Sequence, residues 1–290
     1  MHSPTPVHII GASGRSGLAL ARAALAGGWE IVPVVRDRAK WEAAGLALPP
    51  RVADVADAVG LRAALHDARV VVSTAHARHT QAVLDAAPRN ARFVLLGSTR
   101  KLTRWPDAHG SGVLAGERAF MASGRSGVML HPTMIYGAQG ENNVRRLAAL
   151  VARLPILPLP GGGAALVQPI HQADVTRGLL VAIGRTWEGP HALVIAGRDA
   201  VPYAEFVRAV ARAAGLRAPR IVPFPLAPLI AVAPMTRVLP FVPSIGPDEI
   251  RRLTEDKAFD IGPMRAELGF APIGLEEGLA RTFGRTEKNA

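Results

Sequence analysis

Three glycines placed directly after the first apolar run constrain this chain more than any other feature of its sequence. Val7–Ile10 has the length and composition of a short buried strand, and Gly11, Gly14 and Gly17 follow it before a helical pattern that runs to Gly27. Glycines with this spacing permit a tight turn and let the backbone approach a ligand closely. The start of the helix then offers free N–H groups and a partial positive charge to an anion. We therefore predict a loop that binds a pyrophosphate.

Short apolar runs alternate with patterns of helical length through the first half of the chain. Parallel strands need a long crossover connection, usually a helix, so this alternation predicts βαβ units in an α/β fold with a parallel sheet. The predicted strands are Val7–Ile10, Ile31–Val35, a piece around 51–55, Arg69–Ser73, Arg92–Leu96, Val128–His131 and Ala192–Ala196.

The regular alternation of strand and helix patterns ends after about residue 134. Pro155, Pro158 and Pro160, followed by Gly161–Gly163, predict a loop, and Val201–Gly215 has the pattern of an amphipathic helix. We expect two interleaved domains. The first comprises residues 1–133 plus about 165–197, and the second, smaller one comprises about 134–164 plus 198–290.

Composition excludes several classes of site and location. The chain has no cysteine, which rules out disulfides, thiolate metal sites and a cysteine nucleophile. Its first residues lack a basic leader followed by a long apolar stretch, so we expect no signal peptide and a cytoplasmic protein. The uncharged stretch 221–236 is short for a membrane helix and is broken by prolines. His76 and His79 have no nearby third ligand, so we expect no metal site.

The net charge of +11 arises from 30 arginines and 4 lysines against 23 acidic residues. Such an excess is typical of proteins that bind nucleic acid or anionic membranes. Here the arginines are spread along helices and loops, and no nucleic-acid motif accompanies them, so we expect no nucleic-acid partner. Two small groups keep a specific interpretation: Arg15, Arg36 and Arg38 could read a phosphate, and Arg217, Arg220 and Arg237 flank or interrupt an apolar segment.

That apolar segment, residues 221–245, combines prolines with large hydrophobic side chains. It suits a wall for an apolar substrate, a peripheral contact with the inner face of a membrane or with another protein, or a lid packed on its own domain. We expect a small-molecule substrate of unknown identity and a monomer or homodimer.

The end of the second strand bears on the choice of nucleotide. An acidic residue there would bind the adenosine ribose and favour NAD, whereas an arginine suits the 2′-phosphate of NADP. Arg36 comes first and Asp37 follows it. We therefore expect NADP to be preferred and leave NAD open.

Further motifs run nearly from end to end of the chain. After the glycine loop come Asp54-Val55, Leu-Leu-Gly-Ser-Thr at 95–99, His-Pro-Thr-Met-Ile-Tyr-Gly at 131–137 and Val-Gln-Pro-Ile-His-Gln-Ala-Asp-Val at 167–175. In this order they resemble the extended or atypical branch of the short-chain dehydrogenase/reductase superfamily, which includes NAD(P)-dependent epimerases and dehydratases. The resemblance implies a Rossmann-like, doubly wound sheet that binds NAD(P), with a smaller C-terminal substrate domain.

The resemblance also assigns individual residues to the cofactor site. It does not assign Asp174, which we interpret as a helix N-cap. The expected cofactor-binding residues are Gly11, Ser13, Gly14, Arg15, Ser16, Gly17, Arg36, Asp54, Val55, Thr74, Ala75, Ser98, Pro132 and Thr133.

The family's usual catalytic pair, a tyrosine with a lysine four residues later, is absent from this sequence. Neither Tyr136 nor Tyr203 is followed by such a lysine. When Glu117 is aligned with the family's later glutamate, His109 takes the tyrosine position and Val113 the lysine position. The lysine of the pair normally lowers the tyrosine pKa, so proton transfer here needs another group.

Four residues are candidates for that chemistry. Ser98 and Thr99 end a predicted strand, His109 has an ordinary pKa near neutrality, and Tyr136 could line the nicotinamide pocket. Each also has a structural interpretation: hydroxyl groups often cap a helix, a loop histidine is often solvated, and a tyrosine often packs in a core. Lys101 is a weaker candidate, better interpreted as a surface charge.

Two functional hypotheses follow. The first is an oxidoreductase or epimerase-like enzyme that acts on an unknown small or apolar substrate. The second is a non-catalytic nucleotide-binding scaffold, which resembles the dehydrogenase-like accessory subunit of respiratory complex I.

Overall fold

The computed structural model describes residues 5–137, 143–233 and 246–284. Its main sheet has seven strands, and every neighbouring pair is parallel. In spatial order the strands are β11 (Pro190–Ile195), β6 (Gly127–Pro132), β5 (Arg92–Leu96), β4 (Val70–Ser73), β1 (Val7–Ile10), β2 (Ile31–Val35) and β3 (Arg51–Val52). The order reverses between β1 and β4, which makes the sheet doubly wound. The predicted Rossmann-like α/β fold is confirmed.

The central strands read as continuous apolar runs because helices cover both faces of the sheet. Every residue of β1 and β4 is buried. The helices on one face pack into the core through Leu20, Leu179 and Met264, and those on the other face pack through Leu61 and Phe120. The first layer contains α1 (Arg15–Ala26), α7 (Gln172–Gly184) and α11 (Gly262–Leu268), and the second contains α3 (Ala58–Leu65), α4 (Thr80–Ala86) and α5 (Ala108–Ala122). A short helix, α2 (Arg38–Glu42), follows β2.

A third core lies outside the sheet and is built from later segments. Its strands pair in twos: β7 (Ile135–Tyr136) with β10 (Ile170–His171), β9 (Leu166–Val167) with β12 (Val201–Pro202), and β8 (Ile156–Pro160) with β13 (Arg220–Phe224). Its helices are α6 (Asn143–Arg153), α8 (Tyr203–Ala213) and α12 (Leu275–Phe283). Helices α9 (Leu226–Val232) and α10 (Pro247–Arg251) contact each other outside this core. The boundaries between the two interleaved domains stay a prediction.

The predicted loop at 155–163 is wrong for its first half, because Ile156–Pro160 forms β8 in parallel with β13. Within the described ranges each of these strands pairs with one other strand, so one edge of each accommodates a proline that lacks an N–H. A short 3-10 helix, Gly161–Gly163, follows.

Part of the apolar segment 221–245 is described. It contributes most of β13 and all of α9, whereas 234–245, with Arg237, lies outside the described residues. Within the described ranges, no helix combines the length and the hydrophobicity needed to cross a membrane.

Candidate functional site

The carboxyl ends of β1 and β4 meet where the strand order reverses, which is where open α/β sheets bind their ligands. Thr74 follows β4 directly and ties the two strand ends together. Its Oγ1 lies 3.0 Å from the carbonyl oxygen of Ile10 and 3.2 Å from that of Gly11, and donates toward them. The glycine loop therefore starts from a fixed position, with Ala75 beside it.

The glycine loop needs its glycines for steric reasons. Gly11 has a φ of +76°, in the left-handed region that other residues rarely adopt. A Cβ on Gly17 would lie 2.2 Å from the Gly11 carbonyl oxygen, so α1 can approach the loop only without a side chain there. Gly14 is the N-cap of α1 and supplies no side-chain cap. With Ser13 between them, these residues form a cradle in which the first N–H groups of α1 face a ligand rather than a capping side chain.

A buried glutamine joins this loop to a distant helix. The hydroxyl of Ser16 donates to Gln172 Oε1 (3.0 Å), and Gln172 Nε2 donates to Thr176 (3.2 Å). Sequence reasoning missed Gln172, although it lies in the segment 167–175 that carried part of the resemblance. The first turn of α7 is capped by His171, whose Nδ1 accepts from the backbone, and not by Asp174, whose carboxylate accepts the N–H of residue 273 (3.0 Å).

A cavity of about 1070 Å³ runs along the carboxyl edge of the sheet and continues into the third core. Seven of the predicted site residues line it: Arg15, Ser16, Ser98, Thr99, His109, Pro132 and Thr133. The other predicted cofactor residues do not line this cavity. Gly17 lies in the first turn of α1, and the rest lie in the loops that follow β1 to β4: Gly11, Ser13, Gly14, Arg36, Asp54, Val55, Thr74 and Ala75. The cavity thus connects the helix that ends the glycine loop with the ends of β5 and β6.

Ser98 and Thr99 both line the cavity and both have structural roles. Ser98 Oγ accepts the N–H of Arg100 (3.2 Å) and caps a short 3-10 helix, while its own N–H donates to His131 Nδ1 (3.2 Å). Thr99 Oγ1 donates to the carbonyl oxygen of Pro132 (3.2 Å). The Ser98 oxygen is used as an acceptor, which leaves its own O–H available to donate.

His109 lies in the first turn of α5, and a second histidine holds it. His109 Nδ1 is 3.1 Å from His76 Nε2, and the rings meet edge-on. Burial lowers the pKa of both histidines; the His109 ring lowers that of His76 further, and the Arg100 charge lowers that of His109. Both rings are therefore mainly neutral at neutral pH, and Nε2 is the His109 nitrogen outside this contact. His79 accepts from Arg78 instead, and the described chain holds no cluster of three potential metal ligands.

Tyr136 does not line the cavity, so its predicted place in the nicotinamide pocket is wrong. It is 1% exposed in the third core, with its ring edge-on to His171. A Cβ on Gly278 would lie 2.1 Å from its hydroxyl oxygen, so α12 packs directly on the phenol. Burial raises the pKa of Tyr136 well above its ordinary value. Strand β7 leaves the main sheet and turns this side chain into the other core.

Lys101 is also misplaced by the sequence interpretation, since it is not a surface charge. Its side chain is 11% exposed and forms an ion pair with the Glu117 carboxylate. The same carboxylate lies 2.8 Å from Nε2 of His131, whose ring is fully buried. Burial and the Lys101 charge lower the pKa of His131. Through the Ser98 contact, this buried cluster supports the strand end that lines the cavity.

A family model described as NAD(P)H-binding matches residues 11–123. This part of the chain forms an NAD(P)H-binding domain. It contains the glycine loop, the β4 end, Ser98, Thr99 and His109. No curated protein shows significant sequence similarity to the chain.

Solved structures share the fold over nearly the full length of the chain. The NADPH-dependent quinone oxidoreductase QOR2 of Escherichia coli, solved with NADPH, is 17% identical with a TM-score of 0.76, covering 96% of this chain and 99% of that one. The UDP-glucuronic acid 4-epimerase of Bacillus cereus, solved with its sugar nucleotide and NAD, is 16% identical with a TM-score of 0.72, covering 98% of each. MoeE5, solved with UDP-glucose and NAD, is 20% identical with a TM-score of 0.71, covering 96% of this chain and 97% of that one.

Together these matches confirm the predicted NAD(P)-binding domain, and they show that the chain shares its fold with NAD(P)-dependent epimerases and a reductase. They give no support to the accessory-subunit alternative.

Within the NAD(P)H-binding domain, the residues predicted on the adenosine side differ in whether their side chains already make contacts within the chain. Asp37 is the N-cap of α2 and accepts the N–H of Lys40 (3.0 Å). Arg36, one residue earlier, is exposed at the carboxyl end of β2. Asp54 accepts a backbone N–H two residues on (2.9 Å), and Val55 packs against the core beneath α3.

Proposed function

We propose that this protein is an NADP-preferring oxidoreductase that interconverts a carbonyl group and an alcohol. One observation carries the proposal: residues suited to hold a dinucleotide and residues able to transfer a proton line one continuous cavity. Arg15 and Ser16 belong to the first turn of α1, and Ser98, Thr99 and His109 follow along the same wall.

The chain's own residues fit a dinucleotide. The space that a Cβ of Gly17 would fill is taken by the loop backbone, and Gly14 leaves the start of α1 without a side-chain cap. A pyrophosphate would accept hydrogen bonds from these N–H groups and would be favoured by the helix dipole.

The preference for NADP rests on Arg36 and Asp37. Asp37 already accepts a hydrogen bond as a helix cap, so its carboxylate is less available to a ribose. Arg36 is exposed at the position where a guanidinium can bind a 2′-phosphate with two parallel hydrogen bonds.

When bound, the reduced cofactor supplies the hydride that, with one proton, turns a carbonyl into an alcohol and leaves the cofactor oxidised. In this chain the O–H of Ser98 can donate to the substrate oxygen, since its own oxygen already serves as an acceptor. In its protonated form His109 can give the proton through Nε2, which leaves a neutral ring, and that neutral ring can take the proton back in the reverse reaction. His76 fixes the ring by its contact with Nδ1 and is a positioning residue.

The binding part of the proposal is tested by calorimetric titration of the full chain with NADPH and NADH. We expect NADPH to bind at least tenfold more tightly. Equal binding overturns the NADP preference, and failure of both nucleotides to bind overturns the function.

The proton-transfer part is tested with His109→Gln, His76→Gln and, as a matched control, His191→Gln, which changes an exposed histidine outside the cavity. We expect His109→Gln to remove carbonyl-dependent NADPH oxidation without changing NADPH affinity. We expect His76→Gln to lower the rate and to shift its pH profile. Full activity of the His109 variant would assign the proton to another group.

A further inference from the structure

The part of the cavity that lies away from the NAD(P)H-binding domain has an aliphatic wall. Leu147 and Leu150 line it from α6, and Leu154 lines it from the position just after the helix, where its N–H still donates to the Leu150 carbonyl oxygen (3.0 Å). Their spacing of three and four residues places them in one stripe. Leu157 and Leu159 line it from β8, where alternate residues share a face. This wall presents a continuous hydrocarbon surface.

Other elements add large apolar side chains to this region. Tyr203 and Phe206 line the cavity from α8, with ring centroids 6.0 Å apart, and Leu229 lines it from α9. Helices α6, α8 and α9 are not part of the main sheet. A ligand in this region therefore meets hydrocarbon from several elements.

The positive charges that line the cavity beyond the glycine loop are already engaged. Arg100 forms an ion pair with Asp107, and Arg252 lies 3.2 Å from the same carboxylate. Arg104 donates to the carbonyl oxygen of Thr254 (3.3 Å).

The two remaining cations are engaged as well. Lys257 donates to the Arg252 carbonyl oxygen (2.6 Å), and Arg146 also has an intramolecular partner. Recognition of a sugar nucleotide needs charged or hydrogen-bonding groups for its diphosphate. The leucine wall offers no such group, which favours a substrate whose body in this region is hydrocarbon.

We propose that this region binds the hydrocarbon body of an apolar carbonyl compound, such as a ketone with a medium-length alkyl chain. This inference rests on the proposed function, because it supplies the substrate class for the same site. Burial of the alkyl chain against the leucine wall provides the affinity, since apolar area removed from water is the main favourable term for such a ligand.

The test uses calorimetric titration of the full chain, with and without saturating NADP⁺, with 2-undecanone and with UDP-glucose. We expect 2-undecanone to bind and UDP-glucose not to bind. Leu150→Gln in α6 and Leu229→Gln in α9 should each weaken 2-undecanone binding about tenfold or more. Ile156→Gln is the matched control, because Ile156 is 53% exposed, precedes Leu157 on β8 and does not line the cavity.

The outcomes separate the two proposals. Binding of UDP-glucose but not the ketone overturns the substrate class while the cofactor function stands. Equal weakening by the control variant also overturns it, since the leucine wall would then not be the binding surface. Ketone binding that depends on Leu150, in a protein that binds neither nucleotide, supports the apolar site and removes the oxidoreductase function.

Discussion

Substitution of Gly17 by alanine tests the link between the packing of the glycine loop and nucleotide binding. A Cβ at this position would lie 2.2 Å from the Gly11 carbonyl oxygen and 2.7 Å from Thr74 Oγ1. Neither neighbour can move easily, because Thr74 Oγ1 is held against the ends of both β1 and the loop. The methyl group must therefore push α1 away from the loop.

The size of the effect follows from the cost of overpacking. Adding a methyl group to a well-packed site costs about 1–3 kcal/mol. If α1 relaxes away from the loop, the cost appears in binding, and at 1.4 kcal/mol per tenfold the NADPH Kd rises roughly 5- to 140-fold. If the helix stays in place, the cost appears in stability, and the Tm falls by roughly 2–12 °C.

Calorimetric titration with NADPH and thermal unfolding of the same samples measure both outcomes. Gly184→Ala is the matched control, since it makes the same change in α7, where the nearest atom would be 3.9 Å away on Trp29. We expect the control to keep its NADPH affinity and to be as stable as the parent chain or slightly more stable. A Gly17→Ala variant with unchanged Kd and unchanged Tm would refute the steric argument.

Three further predictions concern charge. Arg36→Ala should weaken NADPH binding about tenfold, the scale of one charge-assisted hydrogen bond, and leave NADH binding unchanged; calorimetry showing equal losses would contradict this. Lys101→Met should destabilise the chain in urea by about 3 kcal/mol, because it leaves the Glu117 carboxylate beside a neutral His131 ring without its cation; adding Glu117→Gln should recover most of the loss, and no recovery would exclude a pairwise effect. Burial lowers the pKa of His171 from 6.5 to about 4. Between pH 6.5 and about 4 the unfolded chain therefore binds more protons than the folded one. The free energy of unfolding falls as the pH is lowered through this range, by about 3 kcal/mol in total. His171→Asn, which keeps a cap acceptor, should make that slope shallower in urea unfolding across the same pH window.

The main sheet was predictable because its signal is local. Strands buried on both faces are mostly apolar, and β1, β2 and β5 begin and end at the predicted residues. The glycine loop was predictable for the same reason. Position 17 has no room for a side chain, and the sequence shows this as a glycine at a fixed distance from the end of β1.

The predictions that failed concern residues whose structural partners are distant in the sequence. Pro158 and Pro160 argue locally for a loop, and the strand exists because residues 220–224 pair with it. Tyr136 follows the end of β6, but the fold directs it toward His171 and Gly278. No local pattern carries either piece of information.

The buried charge cluster explains how the chain can lack the usual lysine of the catalytic pair. Val113, at the position where the resemblance expects that lysine, is 2% exposed and packs in the core beneath α5, where an ammonium group would need a buried partner. The lysine that does approach this helix, Lys101, comes from the loop after β5 and is neutralised by Glu117, one turn further along. The Lys101 ammonium is therefore paired inside the protein, and its side chain does not line the cavity. Burial and the Arg100 charge lower the pKa of His109, and the His76 contact orients its ring, so proton transfer in the proposed reaction should depend on His76.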